Sequence, residues 1–336
     1  MRGMQGRSIR SGRVALFAAV MMVVALQARG ASQTPSRPGE GNLTYARGQS
    51  VFPVYQGWTE NPDGTFDLHF SYVNQNWEEE IDIPIGPNNN ISPAPFGPDA
   101  GQPTHFLPRQ NRWQFTVRVP KDFGSKEIVW TLTSHGKTER AFGTMAPGYA
   151  MDEFLMQFEF GGQANRGRKP PTIQVEGARE RAVKVGQPIQ LVAVAHDEFS
   201  ENQPARGARG GGRGRGAAAG ARSPGEIGPG NVGGDFIRST AQGLRVAWLV
   251  YRGPTEAVAQ SAAQDVTFDP PIPFKVWEDQ RGGSPWAPGW QSPPVPPGNK
   301  WVYNVTFSKP GTYVLRALVH TGATFAYENI TFNVTR

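Results

Sequence analysis

The sequence predicts an all-β protein, two β-sandwich domains in tandem behind an export signal. Apolar residues recur at every second position in run after run, as in Phe66/Leu68/Phe70/Tyr72 and Trp113/Phe115/Val117/Val119. Turn-forming residues separate those runs, and no long stretch keeps the 3.6-residue period of an amphipathic helix. The first residues have the charged, apolar and small-residue order of a secretory signal.

That order is Arg2, Arg7, Arg10 and Arg13, then an apolar run from Val14 to Leu26, then Ala28, Gly30 and Ala31. A signal peptide over residues 1–31, cut between Ala28 and Ser32, is expected. The apolar run falls short of the roughly 20 residues that a membrane span needs. An uncleaved anchor is the alternative, and no transmembrane span is expected in the mature chain. Residues 32–46, rich in Ser, Pro, Gly and Arg, read as a flexible leader.

The chain contains no cysteine. This excludes thiol nucleophiles, c-type haem attachment, iron–sulfur clusters, zinc–cysteine sites and a lipidated N-terminal cysteine. It also excludes the disulfides that export would permit. A disulfide contributes about 2–4 kcal/mol and a fully buried large apolar side chain about 1.5–3 kcal/mol, so a few extra core aromatics compensate. With 9 Trp, 19 Phe and 8 Tyr the chain has them in excess.

The net charge of +6 resides in two stretches, the Arg-rich signal and an Arg-Gly tract near residues 203–235. The remainder is close to neutral, so basicity gives no sign of a nucleic-acid-binding core.

The first sandwich is placed at 47–148. Its expected strands are Val51 to Tyr55, Thr65 to Asn74, Ile81 to Ile85, Arg112 to Val119, Glu127 to Ser134 and Lys137 to Thr144. Ile128/Trp130/Leu132 joins the two alternating runs above as its core. Asn61-Pro62-Asp63-Gly64 and His135-Gly136 supply tight turns. Residues 149–170 read as a bridging segment and exposed linker, in which Phe154/Met156/Phe158/Phe160 alternates but Phe154/Leu155/Phe158 also suits a helical turn. Each sandwich is therefore expected to unfold separately.

The second sandwich, 171–336, opens at Thr172 to Val175 and continues with Ile189/Leu191/Ala193/Ala195 after the turn Val185-Gly186-Gln187-Pro188. Leu244 to Arg252 follows as strand C, then the alternating run Tyr303/Val305/Phe307, the corner Ser308-Lys309-Pro310-Gly311, the run Tyr313/Leu315/Ala317/Val319, and a last strand from Phe325 to Val334. The Pro-Gly-x-Tyr order resembles the E-to-F corner of immunoglobulin-like and PKD-like bacterial sandwiches, in which a tyrosine near the start of strand F bonds back to upstream backbone. The resemblance makes Tyr313 that tyrosine and Trp248 the buried tryptophan of strand C. Leu315 stands where antibody domains carry a cysteine, which points to the cysteine-free branch. The whole chain also resembles a group of exported bacterial proteins of the same two-part layout, and that likeness implies no activity. The fold expected is thus two immunoglobulin-like β-sandwich domains in tandem after a signal peptide.

Two insertions interrupt the second sandwich. Residues 203–234 include ARGARGGGRGRG and almost nothing apolar, and read as a disordered loop between strands B and C. Arg-Gly runs bind polyanions, but export removes most of the case for nucleic acid. Gly228-x-Gly230-x-x-Gly233 has the spelling of a dinucleotide fingerprint but follows no strand. Gly136-Lys137-Thr138 is similar to the end of a phosphate loop, yet Thr131 occupies the leading glycine position. Residues 282–300 place Trp286 and Trp290 among prolines, with Trp301 just beyond. Indole faces on a rigid backbone suit sugar rings; the plainer reading is that they cap the open end of the sandwich.

Calcium is the one cofactor the residues suggest. Glu78, Glu80 and Asp82, or Asp197 and Glu198 at the end of strand B, offer carboxylates, although calcium wants six to eight oxygens and the EF-hand spelling is absent. A solvated, charged strand edge is the plainer reading. There is no G-x-S-x-G elbow and no H-E-x-x-H helix. His69, His105, His135, His196 and His320 are isolated from one another in sequence. The function expected is a non-catalytic exported protein for binding or cell-envelope architecture, its partner an envelope or matrix polymer or another exported protein. The alternatives are carbohydrate recognition through Trp286, Trp290 and Trp301, and a hydrolase whose paired carboxylates meet only in the fold.

Overall fold

The computed structural model describes residues 46–152, 169–198, 244–254, 262–272, 294–321 and 324–336. The signal peptide, nearly all of the leader, most of the bridging segment, the Arg-Gly loop, and Trp286 and Trp290 lie outside the described residues. The structure is all-β, with several sheets enclosing two separate hydrophobic cores.

The first core is built from strands β1 (Val51–Glu60), β2 (Phe66–Asn74), β3 (Ile81–Asp82), β4 (Asn89–Ser92), β5 (His105–Phe106), β6 (Arg109–Val119), β7 (Glu127–Ser134) and β8 (Lys137–Thr144). One antiparallel sheet has the order β1-β2-β6, the facing one β4-β7-β8, and β3 pairs with β5. Because side chains alternate across a strand, Leu68, Phe70, Phe115, Val117, Ile128 and Leu132 all turn inward around Trp130. The Phe115 ring meets the Trp130 indole edge-on at 4.8 Å between centroids, an arrangement that adds to the area buried.

Both expected turns are present. Gly64 N–H donates to Asn61 O at 2.9 Å, and His135-Gly136, at φ 47° and 74°, makes the two-residue left-handed turn that matches strand twist. The expected strand Ile81 to Ile85 is corrected to Ile81–Asp82, and β4 lies where no strand is expected from the sequence. Asn89 is buried there because its amide is fully used. Nδ2 donates to Ile83 O at 2.9 Å and Pro103 O at 2.8 Å, while Oδ1 accepts from Trp130 Nε1 at 3.0 Å. A polar side chain so satisfied is tolerated in a core.

The second core is built from β9 (Thr172–Val175), β10 (Glu180–Lys184), β11 (Ile189–His196), β12 (Arg245–Arg252), β13 (Val266–Asp269), β14 (Lys300–Phe307), β15 (Gly311–His320) and β16 (Phe325–Thr335). The sheets run β13-β14-β11-β9 and β10-β16-β15-β12. Lettered along the chain these are D-E-B-A and A′-G-F-C, the immunoglobulin-like strand order. The same lettering makes β1-β2-β6 an A-B-E sheet and β4-β7-β8 a C-F-G sheet.

Trp248 points inward from β12 between Val246 and Val250 and is buried. Tyr313 is fully buried, its ring 4.9 Å from Phe307 between centroids and its hydroxyl donating to Lys309 O at 3.2 Å. Burial first, and the Asp265 carboxylate second, push its pKa up to about 12. The same corner is pinned by Asp265, whose carboxylate accepts from Ser308 Oγ at 3.2 Å and whose carbonyl accepts from Ser308 N–H at 2.9 Å.

Tyr313→Phe should therefore lose mainly one hydrogen bond, about 0.5–1.5 kcal/mol, and Tyr313→Ala the ring as well, about 3–5 kcal/mol. Chemical denaturation of both variants checks the order and the gap. Equal losses would show that the ring contributes nothing beyond its hydroxyl.

Candidate functional site

The residues singled out for chemistry do not converge. Among the described residues, no group of three His, Cys, Asp or Glu side chains stands in metal-ligating arrangement. Glu78 is exposed, Asp197 is buried at the end of β11, and Glu198 pairs at the surface with Lys169 at 3.5 Å. Glu80 and Asp82 both face His105. An imidazole thus lies between two of the carboxylates that the sequence offers to calcium. Of the three candidate ligand-binding tryptophans, Trp301 alone falls among the described residues. It lies on β14 opposite Ala193, packed into the second core at 8 % exposure, and offers no open indole face.

What the fold does assemble is a polar seam between the two sandwiches. Its centre is Arg316, on the outward face of β15. Asn329 lies directly opposite on β16 and accepts from Nε at 2.9 Å. Tyr327, two residues from Asn329, and Tyr251 on β12 project from the same face, as diagonal neighbours across a sheet do. Their rings sandwich the guanidinium, with Cζ 3.8 Å from the Tyr327 centroid and 3.7 Å from that of Tyr251. The remaining donors cross the seam: Nη2 to Gln114 O at 2.9 Å and Nη1 to Gln114 Oε1 at 3.2 Å. Arginine stays charged, yet its hydrogen-bond partners among the described residues are all neutral.

The receiving surface on the first sandwich is shaped by a bulge in β6. Its pairing with β2 skips between Phe70 and Tyr72, and Trp113 adopts φ 54° within it. A bulky residue in that left-handed region is strained. Trp113 N–H finds Ser71 Oγ at 2.8 Å in place of a ladder carbonyl, and the indole meets His69 edge-on at 5.7 Å. Burial pulls His69 down to about 4, against a smaller upward pull from Asp67, so the ring is neutral at pH 7. The bulge turns Gln114 toward the second sandwich, and re-aiming a side chain is what such irregularities do.

Around this centre Tyr251 Oη donates to Gly101 O at 2.6 Å, and Tyr251 O accepts from Thr104 N–H at 3.2 Å. Arg252 forks onto Asp99 at 2.7 and 2.9 Å and reaches Gln102 O at 2.8 Å. That fork holds the Asp99 carboxyl below its ordinary range. Gly253 N–H meets Thr104 Oγ1 at 3.1 Å, and Ala262 N–H meets Asp82 Oδ2 at 2.6 Å. A standard protein–protein interface carries about ten direct hydrogen bonds, and this set is of that size.

Asp82 joins the seam to a buried histidine. His105 Nδ1 lies 2.8 Å from Asp82 Oδ1; Nε2 lies 3.1 Å from Glu80 Oε2, close enough for an ion pair but not aligned as a hydrogen bond. Burial alone would depress the imidazole, but Asp82 and then Glu80 outweigh it and raise His105 to about 9. An imidazole already protonated at pH 7 is no general base. The arrangement orients and holds; it presents no activated nucleophile.

The seam escaped sequence reasoning, although a signal was present. β12 reads Val246 to Tyr251 as a continuous apolar run, and the outward positions of β15 include Val314 and Leu318. A strand apolar on both sides is covered on both sides.

Arg316→Ala should cost about 2–4 kcal/mol, from the lost cation–π pairs and the lost hydrogen bonds to Asn329 and Gln114. Arg316→Lys should recover less than half of that, because an ammonium lacks the planar fork that fits between two rings. Denaturant unfolding of both variants at fixed pH measures it. A neutral Arg316→Ala would show that the seam contributes nothing to the fold.

No family model and no curated protein matches the chain. Solved structures do, at low similarity. The S-layer protein rSbsC(31-844) is 10 % identical with a TM-score of 0.21 over 85 % of this chain and 28 % of its own. Sidekick-1 immunoglobulin domains 1–4 are 8 % identical with a TM-score of 0.22 over 86 % and 50 %. The adhesin InvE of Yersinia pseudotuberculosis is 10 % identical with a TM-score of 0.22 over 89 % and 62 %. The chain thus spans about a quarter to a half of the first two. At TM-scores near 0.2 these likenesses decide neither the arrangement of the sandwiches nor their function.

Proposed function

We propose that the chain is an exported, non-catalytic protein. In this reading residues 1–31 are its signal peptide, and residues 47–148 and 171–336 are two immunoglobulin-like sandwiches docked as one rigid unit. That unit serves binding or architecture at the cell surface or in the envelope, toward a matrix or envelope polymer or another exported protein. The observation that carries the reading is the seam, whose buried polar groups are spent on fixing one sandwich against the other. The titratable groups inside it are committed to structural partners, and no helix among the described residues is long and apolar enough to cross a membrane.

On this reading the two sandwiches unfold together, and the expectation of separate unfolding is its rival. Full-length protein should melt in a single calorimetric transition, and Arg316→Ala combined with Arg252→Ala should split it into two. Two transitions in the unaltered protein would remove the rigid-unit reading. The non-catalytic reading is tested apart from this, with a panel of polysaccharides and esters. Turnover abolished by one carboxylate or serine substitution would end it.

A further inference from the structure

Among the polar groups of the seam, His105 differs in being the one buried side chain whose charge is set by its surroundings. Its neighbours can be enumerated. Glu80 and Asp82 flank the ring from β3 and the residue before it. Tyr72 from β2 lies within the field of Glu80, and within the fields of Arg316 from β15 and Tyr251 from β12. Tyr72 is neutral, because burial pushes its hydroxyl far up; its Oη accepts the Leu107 N–H at 2.9 Å.

The geometry makes one carboxylate serve two masters. Asp82 Oδ1 faces His105 Nδ1 at 2.8 Å, and Asp82 Oδ2 takes the Ala262 N–H of the second sandwich at 2.6 Å. β3, which carries Asp82, is two residues long and pairs with β5 alone. Ile83, which follows it, is anchored in the first core, with its N–H on Thr104 O at 2.8 Å and its carbonyl accepting from Asn89 Nδ2 at 2.9 Å, so the part free to respond is the Asp82 carboxylate itself. The imidazolium between Glu80 and Asp82 offsets their mutual repulsion across the ring. A neutral imidazole has one N–H and no charge, so two carboxylates would then share one donor, and buried like charges repel strongly.

We propose that Glu80, His105 and Asp82 form a proton-dependent latch on the seam: the imidazolium holds the Asp82 carboxylate onto the Ala262 amide, and loss of that proton lets the carboxylate turn away from Glu80 and releases the Ala262 amide at this point. The chemistry needs nothing beyond a proton leaving to solvent. With the folded pKa raised to about 9 over an ordinary value near 6.5, the stabilisation is complete below about pH 6.5 and is lost as pH rises through about 9. The latch is thus closed at neutral pH and opens on the alkaline side.

The test uses the full chain. Amide exchange, corrected for its intrinsic pH dependence, reports the protection of Ala262, and imidazole NMR titration reports the state of His105. The expected result is a His105 titration near pH 9 and an Ala262 protection factor that falls about tenfold or more between pH 7 and pH 9.5, since each unit of pKa shift is a factor of ten. In His105→Gln, Ala262 should be weakly protected already at pH 7 with no such pH step. A His105 that titrates near 6.5, an Ala262 protection that is flat with pH, or a step that survives in His105→Gln would each overturn the proposal. Should His105→Gln fail to fold, the two measurements on the unaltered chain and on Glu80→Gln decide; removing Glu80 must shift the step to lower pH.

Discussion

The contact between the sheets of the first core and those of the second is centred on a single buried cation. Arg316 has left water for a slot between two tyrosine rings, and a desolvated guanidinium is costly unless every donor is used. Nε goes to its own sheet and the two terminal nitrogens go to Gln114 of the other sandwich. Turning one sandwich away from the other would strand those donors. The seam is therefore specified by direction, where an apolar patch would allow sliding.

Such polar junctions are not strong for their size. Replacing buried charges with well-fitting apolar groups is often neutral or stabilising, and their best-supported benefit is to select one geometry among several. Contacts between domains of one chain are by default permissive of relative motion. Here the strain of Trp113 in a left-handed conformation, the shortened pairing of β6 with β2, and the buried Asn89 amide all occur in the half that receives Arg316. Local irregularity in the first sandwich and polar projection from the second fit one another.

The features legible in the sequence were those set by neighbours along the chain. The Tyr313 corner needs only four residues of separation, and the His135-Gly136 turn needs two. The alternation that placed Leu68, Phe115 and Trp130 inside also contains Trp301, which shares its face with Tyr303 and Val305; grouping it with the Pro-rich insertion obscured a period that was already present. What stayed hidden is set by partners far apart. Gln114 and Arg316 are separated by 202 residues and Asp82 and Ala262 by 180, and no local pattern encodes which outward arginine will be covered. The histidine that faces the acidic run, His105, lies 23 residues beyond Asp82, and no local pattern pairs the two.

The neutrality of Arg316's partners has a consequence for the medium the protein works in. Mobile ions weaken attraction between exposed opposite charges over distances near the Debye length, about 8 Å at physiological ionic strength. The half-exposed Asp99 opposite Arg252 is subject to that screening. The Arg316 slot is not, since aromatic faces and carbonyl dipoles in van der Waals contact leave no room for an intervening ion. In brine or in dilute water alike, the angle between the two sandwiches should be the same.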